Sequence, residues 1–215
     1  MINIARPDYT NTPASSARAV VHFQPADPAA APVVSIVTPF FNANEWFYET
    51  ARSVFGQTLQ QWEWLIINDG SQDAASLAIL AEFRQKDPRI RVVDHVANQG
   101  LSAARNTGFR EARAEFVFQL DADDLIEPTT LEKMAWHLQT QPEFGFVTGF
   151  TVGFGSKEYL WQNGFHSGKK FLEENLVTAT CLVRKSVHQA VGGYEAANRG
   201  GLEDWDFWIK SAAHG

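Results

Sequence analysis

Four apolar runs constrain this chain more than any other feature. They are VVSIVTPF, WEWLIIND, RIRVVDH and EFVFQLDADD, and each is followed by a segment with helical spacing. Runs of this kind, rich in β-branched residues and without polar alternation, are the pattern of strands buried on both faces. After the first run, Trp46, Phe47, Ala51, Val54 and Phe55 fall on one stripe of a helix from Asn44 to about Gln57. The second helix is DAASLAILAEFRQKDP, ending before Pro88. The third is LSAARNTGFREAR, and the fourth is PTTLEKMAWHLQTQP with Pro128 at its first turn. Strand and helix in alternation predict an α/β fold, with a mostly parallel sheet covered by helices on both faces. After residue 143 the rhythm loosens: FGFVTGFTVGFG, KEYLWQN and TATCLVRK read as further strands, antiparallel in part, and EDWDFWIKSAAHG begins a last helix.

The length of 215 residues fits one domain with a tail. Residues 1–31 are rich in Ala, Pro, Ser and Thr and are expected to be that tail or linker, with VVHF at 20–23 as a candidate edge strand. A net charge of -7 argues against a nucleic-acid partner, whose phosphates a protein must neutralise. For the same reason an acidic site here needs a cation before it can hold a phosphate. The single cysteine, Cys181, allows no internal disulfide and reads as a buried strand thiol, which fits a reducing compartment. No apolar run reaches the length of about 18 residues that spans a membrane. No signal-peptide layout opens the chain, so the cytoplasm is the expected location. The histidines show no paired metal-ligand spacing and read as solvated or structural, with His95 and His166 as candidates for the edge of a site. Walker, GxGxxG and GxSxG signatures are absent.

In open α/β sheets, ligands bind beyond the carboxyl ends of the strands. The four runs end in Thr38, Pro39, Phe40 and Asn42; in Asn68–Asp69–Gly70–Ser71; in His95, then Asn98–Gln99–Gly100; and in Asp121–Ala122–Asp123–Asp124. On extended chain Asp121 and Asp123 point the same way, and their repulsion invites a divalent cation. Carboxylates with few other ligands suit Mg²⁺ or Mn²⁺, which keep waters and share phosphate oxygens. The alternative is that these acids only cap the next helix. Asp69 is either a turn residue or an acceptor for the imide N–H of uracil, while Ser71 and Asp73 can cap the second helix. Gly100 permits a tight turn into the third helix. Arg105, a little over one turn inside, either meets phosphate or base at the sheet rim or makes a surface salt bridge. Glu203 and Asp204 open the last helix, as partners of its dipole or as a general base. Trp205 beside them is a candidate wall of a sugar site, and Trp208 reads as core.

Five blocks carry a resemblance: VSIVTPFFNANEWFYETARSVFGQT, WLIINDGSQD, NQGLSAARNTGF, FVFQLDADDLIEP and GGYEAANRGGLEDWDFW. In order and spacing they resemble glycosyltransferase family 2, from Val33 to the end of the chain. The resemblance implies the A-type glycosyltransferase fold, Rossmann-like with a small antiparallel C-terminal part, and a catalytic domain over residues 32–215. It implies an inverting, metal-dependent hexosyltransferase that moves a sugar from a nucleotide-sugar donor, UDP-linked, to an acceptor hydroxyl of a glycan, lipid-linked or protein acceptor. Thr38, Pro39 and Phe40 would receive the nucleotide, with Glu45 touching ribose or base. Asp69 would accept from uracil, and Gly100, Arg105 and Ala122 would border the nucleotide. Asp121 would contact ribose or metal, and Asp123 would bind Mn²⁺ or Mg²⁺ across the diphosphate. Asp204 would be the catalytic base, with Glu203 beside it. Family members usually continue well past this last helix, so the chain is expected to lack the usual C-terminal extension. The QxxRW motif of processive members is missing, so a polymer-extruding synthase is not expected. Without a membrane span, any membrane association is expected to be peripheral, at the inner face.

Two other readings compete. A sugar nucleotidyltransferase would carry an early glycine-rich loop, where this chain has TPFFNANE; pyrophosphate release against UDP release separates them. A non-catalytic nucleotide-sugar-binding module would bind UDP and Mn²⁺ without turnover.

Overall fold

The computed structural model describes residues 31–155, 157–161, 168–197 and 201–214. The expected strand at 20–23 and His22 and His166 lie outside them. The first four strand–helix units are β1 (Val34–Phe40), α1 (Trp46–Phe55), β2 (Trp62–Asn68), α2 (Ala74–Lys86), β3 (Ile90–Asp94), α3 (Leu101–Glu111), β4 (Phe116–Gln119) and α4 (Thr130–Thr140). There follow β5 (Phe146–Thr148), β6 (Thr151–Gly153), β7 (Tyr159–Trp161), α5 (Gly168–Glu173), β8 (Cys181–Arg184), α6 (Lys185–Ala190) and α7 (Glu203–His214). Among the described residues no helix is long and apolar enough to cross a membrane.

The main sheet has the order β3-β2-β1-β4-β8-β5. Strands β1 to β4 run parallel, and β8 is antiparallel to both β4 and β5. A separate β6–β7 pair is antiparallel. The apolar runs are explained by the two cores they divide. Val34, Ile36 and Phe40 of β1 and Trp62, Trp64 and Ile66 of β2 face a core shared with α1, α2 and α4. Val37, Leu65 and Ile67 face the opposite core with α3, α6 and α7. Successive side chains point to opposite faces, so both sets must be apolar.

Local chemistry sets the helix starts. Asp73 caps α2, accepting from the N–H groups of Ala75 and Ser76, as the sequence suggests. Gly108 lets α3 lie against β1, because a Cβ there would stand 2.1 Å from Val37 Cγ1. Cys181 is a buried free thiol on β8, as expected. Three details differ from the sequence reading. Trp46 is 62% exposed rather than part of the α1 core stripe, which is Phe47, Thr50, Ala51 and Val54. Helix α4 starts at Thr130, so Pro128 lies in the turn ahead of it. Strand β4 stops at Gln119, so Asp121 and Asp123 stand on a turn rather than on extended chain, closed by the N–H of Asp124 donating to the Asp121 carbonyl.

Candidate active site

The chain leaves β1 for β2 and β3 on one side and returns to β4 on the other, so β1 and β4 flank a topological switch point. A cleft of about 670 Å³ opens there. The end of β1 gives Pro39 and Phe40, the following loop gives Phe41 through Asn44, and α1 gives its first residue, Trp46. Asp69 comes from the turn after β2, Asn98 and Gly100 from the loop after β3, and Leu101 and Ala104 from α3. Asp121, Ala122 and Asp123 come from the turn after β4. A second recess of about 390 Å³ shares Asn98, Gly100 and Leu101 and adds Ser102, Ala196, Gly201 and Glu203.

The rim is tied together by side chains. Asn42, at φ 47°, accepts at Oδ1 from the N–H groups of Gln72 and Asp73, and its own N–H donates to Ser71 Oγ. Asparagine tolerates that left-handed backbone. The buried Asp69 carboxylate accepts from the N–H of Gln99 at 2.9 Å and of Gly100 at 2.8 Å. His95 Nδ1 donates to it at 2.6 Å, and His95 Nε2 pairs with the Thr107 hydroxyl at 2.9 Å. Asp69 therefore fastens the loop that leads into α3, and His95 holds Asp69. Gly70, at φ +74°, is required beside it, since a Cβ would meet the Asn98 nitrogen at 2.6 Å.

The acidic turn is pinned from α1, where the Thr50 hydroxyl donates to the Ala122 carbonyl at 3.0 Å. Its three carboxylates are not equivalent. Asp121 is gripped by Arg105 at 3.1 Å. Asp124 accepts from the Thr180 hydroxyl at 3.0 Å rather than capping a helix. Although exposed in area, the Asp124 carboxyl is desolvated by the protein packed round it and repelled by Asp121 and Asp123, which raises its pKa. Asp123 is exposed and, among the described residues, has no hydrogen-bond or ion-pair partner. No cluster of three or more His, Cys, Asp or Glu poised for a metal occurs among the described residues. That donor set fits a cation held by one or two carboxylates plus phosphate oxygens, as Mg²⁺ and Mn²⁺ are, and does not fit an all-protein cage.

Arg105 is 1% exposed, so it is no surface salt bridge, and it lies outside the cleft lining. Burial opposes its charge, but Asp121, Tyr194 and Glu203 outweigh that and hold the guanidinium above the usual arginine range. The remaining sequence candidates are spread around the cleft. Pro39, Phe40, Asp69, Gly100, Asp121, Ala122 and Asp123 line it. Thr38 is buried behind it, accepting from Trp64 Nε1 at 2.9 Å, and Glu45 is exposed outside it. Glu203 lines the recess, whereas Asp204 lines neither cavity and accepts from Asn175 Nδ2 at 3.1 Å. Trp205 Nε1 donates to the Phe171 carbonyl, and Trp208 is core. Sequence reasoning missed Phe41 and Trp46 as cleft walls. Their signal was present: two aromatics between the end of the first buried strand and the first turn of the next helix, at the rim where ligands bind.

The model of the family described as "Glycosyl transferase family 2" matches residues 35–201. The chain is 37% identical over 103 residues to the uncharacterized glycosyltransferase EpsJ of Bacillus subtilis, covering 48% of this chain and 29% of EpsJ. It is similar in fold to S. aureus TarS 1-349 in complex with UDP, with a TM-score of 0.67 at 21% identity, over 83% of this chain and 54% of that one. It is also similar to the mannosyltransferase PcManGT of Pyrobaculum calidifontis in complex with GDP-Man and Mn²⁺, with a TM-score of 0.65 at 20% identity, over 88% and 54%. This chain thus spans less than a third of EpsJ and about half of the two solved chains. These neighbours in fold have the A-type glycosyltransferase architecture expected from the sequence. With its family match running from β1 to the doorstep of α7, this chain belongs to glycosyl transferase family 2.

Proposed function

We propose that this chain binds a nucleotide sugar, UDP-linked, in the cleft between β1 and β4 and transfers its hexosyl group with inversion to an acceptor hydroxyl of a glycan or glycoconjugate. The observation that carries this is the cleft itself. Polar turns from four strands converge on it, and it offers a free carboxylate, Asp123, beside Asp121. The family match and the UDP and GDP-Man complexes of the neighbours in fold support a nucleotide-sugar donor. Asp123, with Asp121, would hold a divalent cation, which when bound neutralises charge growing on the departing diphosphate. Phe41 and Trp46, exposed at the rim, offer flat apolar faces to the base. Asp69 sets the loop 98–100 against the nucleotide.

Asp204 is assigned as the base. It stands in the first turn of α7 and has no cationic partner among the described residues, whereas Glu203 is committed to Arg105. Asp204 takes the proton from the acceptor hydroxyl as that oxygen bonds to the anomeric carbon. The bond to the diphosphate breaks on the opposite face, so the configuration inverts. The test is UDP release from a panel of UDP-sugars with Mn²⁺, with the product anomer read by NMR. Asp204→Asn is expected to keep Mn²⁺–UDP affinity and lose about 1,000-fold in turnover, within the range for a lost general base. Near-normal turnover in that variant overturns the base assignment, and a retained anomeric configuration overturns the inverting mechanism.

A further inference from the structure

Arg105 lies in α3, yet its guanidinium joins two parts of the molecule that the sequence keeps far apart. Nη2 donates to Asp121 Oδ1 at 3.1 Å, across 16 residues. Nη1 donates to Glu203 Oε1 at 2.9 Å, across 98 residues. Asp121 lines the cleft and Glu203 lines the recess, with side chains 35% and 12% exposed around an Arg105 side chain that is 1% exposed. The ring of Tyr194 covers the guanidinium, 5.5 Å from Cζ. A buried cation is tolerated only when paired, and a planar fork can hold two separate carboxylates at once where an ammonium is a single point charge. Both terminal nitrogens are thus spoken for by carboxylates.

We infer that Arg105 is a positioning residue, which fixes the Asp121 carboxylate at the cleft and the first turn of α7 at the recess as one unit. Its kinetic consequence rests on the donor and base roles proposed above; its mechanical consequence does not. Without Arg105, Asp121 and Glu203 repel each other and the turn that carries Asp204 is released. Arg105→Lys restores the charge and not the double grip.

The experiment uses the full chain with Arg105→Lys, Arg105→Met and Glu203→Gln. Amide hydrogen exchange is followed along the chain, Mn²⁺–UDP binding by calorimetry, and kcat and donor KM by UDP release. In Arg105→Lys, exchange over residues 203–207 is expected to rise about tenfold or more while α2 is unchanged. Glu203→Gln should reproduce that effect, and joining it to Arg105→Lys should add little. The kcat should fall about 100-fold, with donor KM changed less than about threefold, as for a misplaced catalytic group. Unchanged exchange in α7 overturns the inference. So does an equal rise in α2 and α7, which marks a general scaffold residue. So does a large loss of Mn²⁺–UDP affinity with α7 unaffected, which marks a nucleotide ligand. If Arg105→Met does not fold, Arg105→Lys and Glu203→Gln decide the matter. Local release of α7 in a chain whose wild type transfers no sugar supports this inference and counts only against the proposed function.

Discussion

Between about pH 4 and 6.5, His188 is held neutral where a free imidazole would be charged. Its ring stacks on Phe109 at 4.0 Å between centroids. Its Nε2 meets Asn106 Oδ1 at 2.9 Å, and that oxygen also accepts from the Tyr194 N–H, so Nε2 carries the hydrogen. Burial first, then Lys185 and Lys210, pushes the His188 pKa down to about 4 from an ordinary 6.5. The folded value lies below the unfolded one, so the unfolded chain binds the extra proton between them. Stability from this group is complete above pH 6.5 and drains as pH falls toward 4. For a ring only partly buried the loss is on the order of 2 kcal/mol. Thermal melts between pH 7.5 and 5 should show a smaller acid loss in His188→Gln than in the wild type; equal slopes refute the idea. At this scale the sequence was legible where chemistry is local. Asp73 as a cap and Gly100 as a turn, at φ 95°, needed only their neighbours. The extended chain expected at Asp121 and Asp123 is a turn instead, because where β4 stops depends on its partner strands, although both side chains line the one cleft.

At the scale of elements, the contact of α3 with β1 is set by one missing atom. An alanine at Gly108 gains about 1 kcal/mol in helix propensity. Against that, its Cβ stands 2.1 Å from Val37 Cγ1, and overpacking of this kind costs about 1–3 kcal/mol. The clash wins, so Gly108→Ala should lower the urea midpoint. In a Val37→Ala background the same change should be neutral or stabilising, and failure of that sign to reverse would rule out the contact as the cause. The four strand–helix units were readable because burial on both faces leaves long apolar runs. Helices α5 and α6, of six residues each, are too short to show a period. The insertion of antiparallel β8 between β4 and β5 is a pairing of distant segments, and no local pattern encodes it.

At the scale of the molecule, the cleft should behave as one ligand site. A ligand at about 100 times its Kd stabilises by about 2.7 kcal/mol, which for a chain of this size means a Tm rise of about 5–10 °C. Mn²⁺ with UDP should produce that rise, and Asp123→Ala should abolish it; a full rise in the variant would remove Asp123 from metal binding. The place of the cleft was legible because strand ends open on one rim whatever the loops do. The link from Arg105 to Glu203 was not, since nothing in either neighbourhood announces a partner 98 residues away.

Among the described residues, those that wall the cleft run from Pro39 through Asp123, whereas the recess borrows Ala196, Gly201 and Glu203 from much later in the chain. On a ribosome, these cleft residues are therefore synthesised before the codons for the second cavity's later wall are read. Substitutions after Asp123 can reshape the recess while leaving those cleft residues unedited.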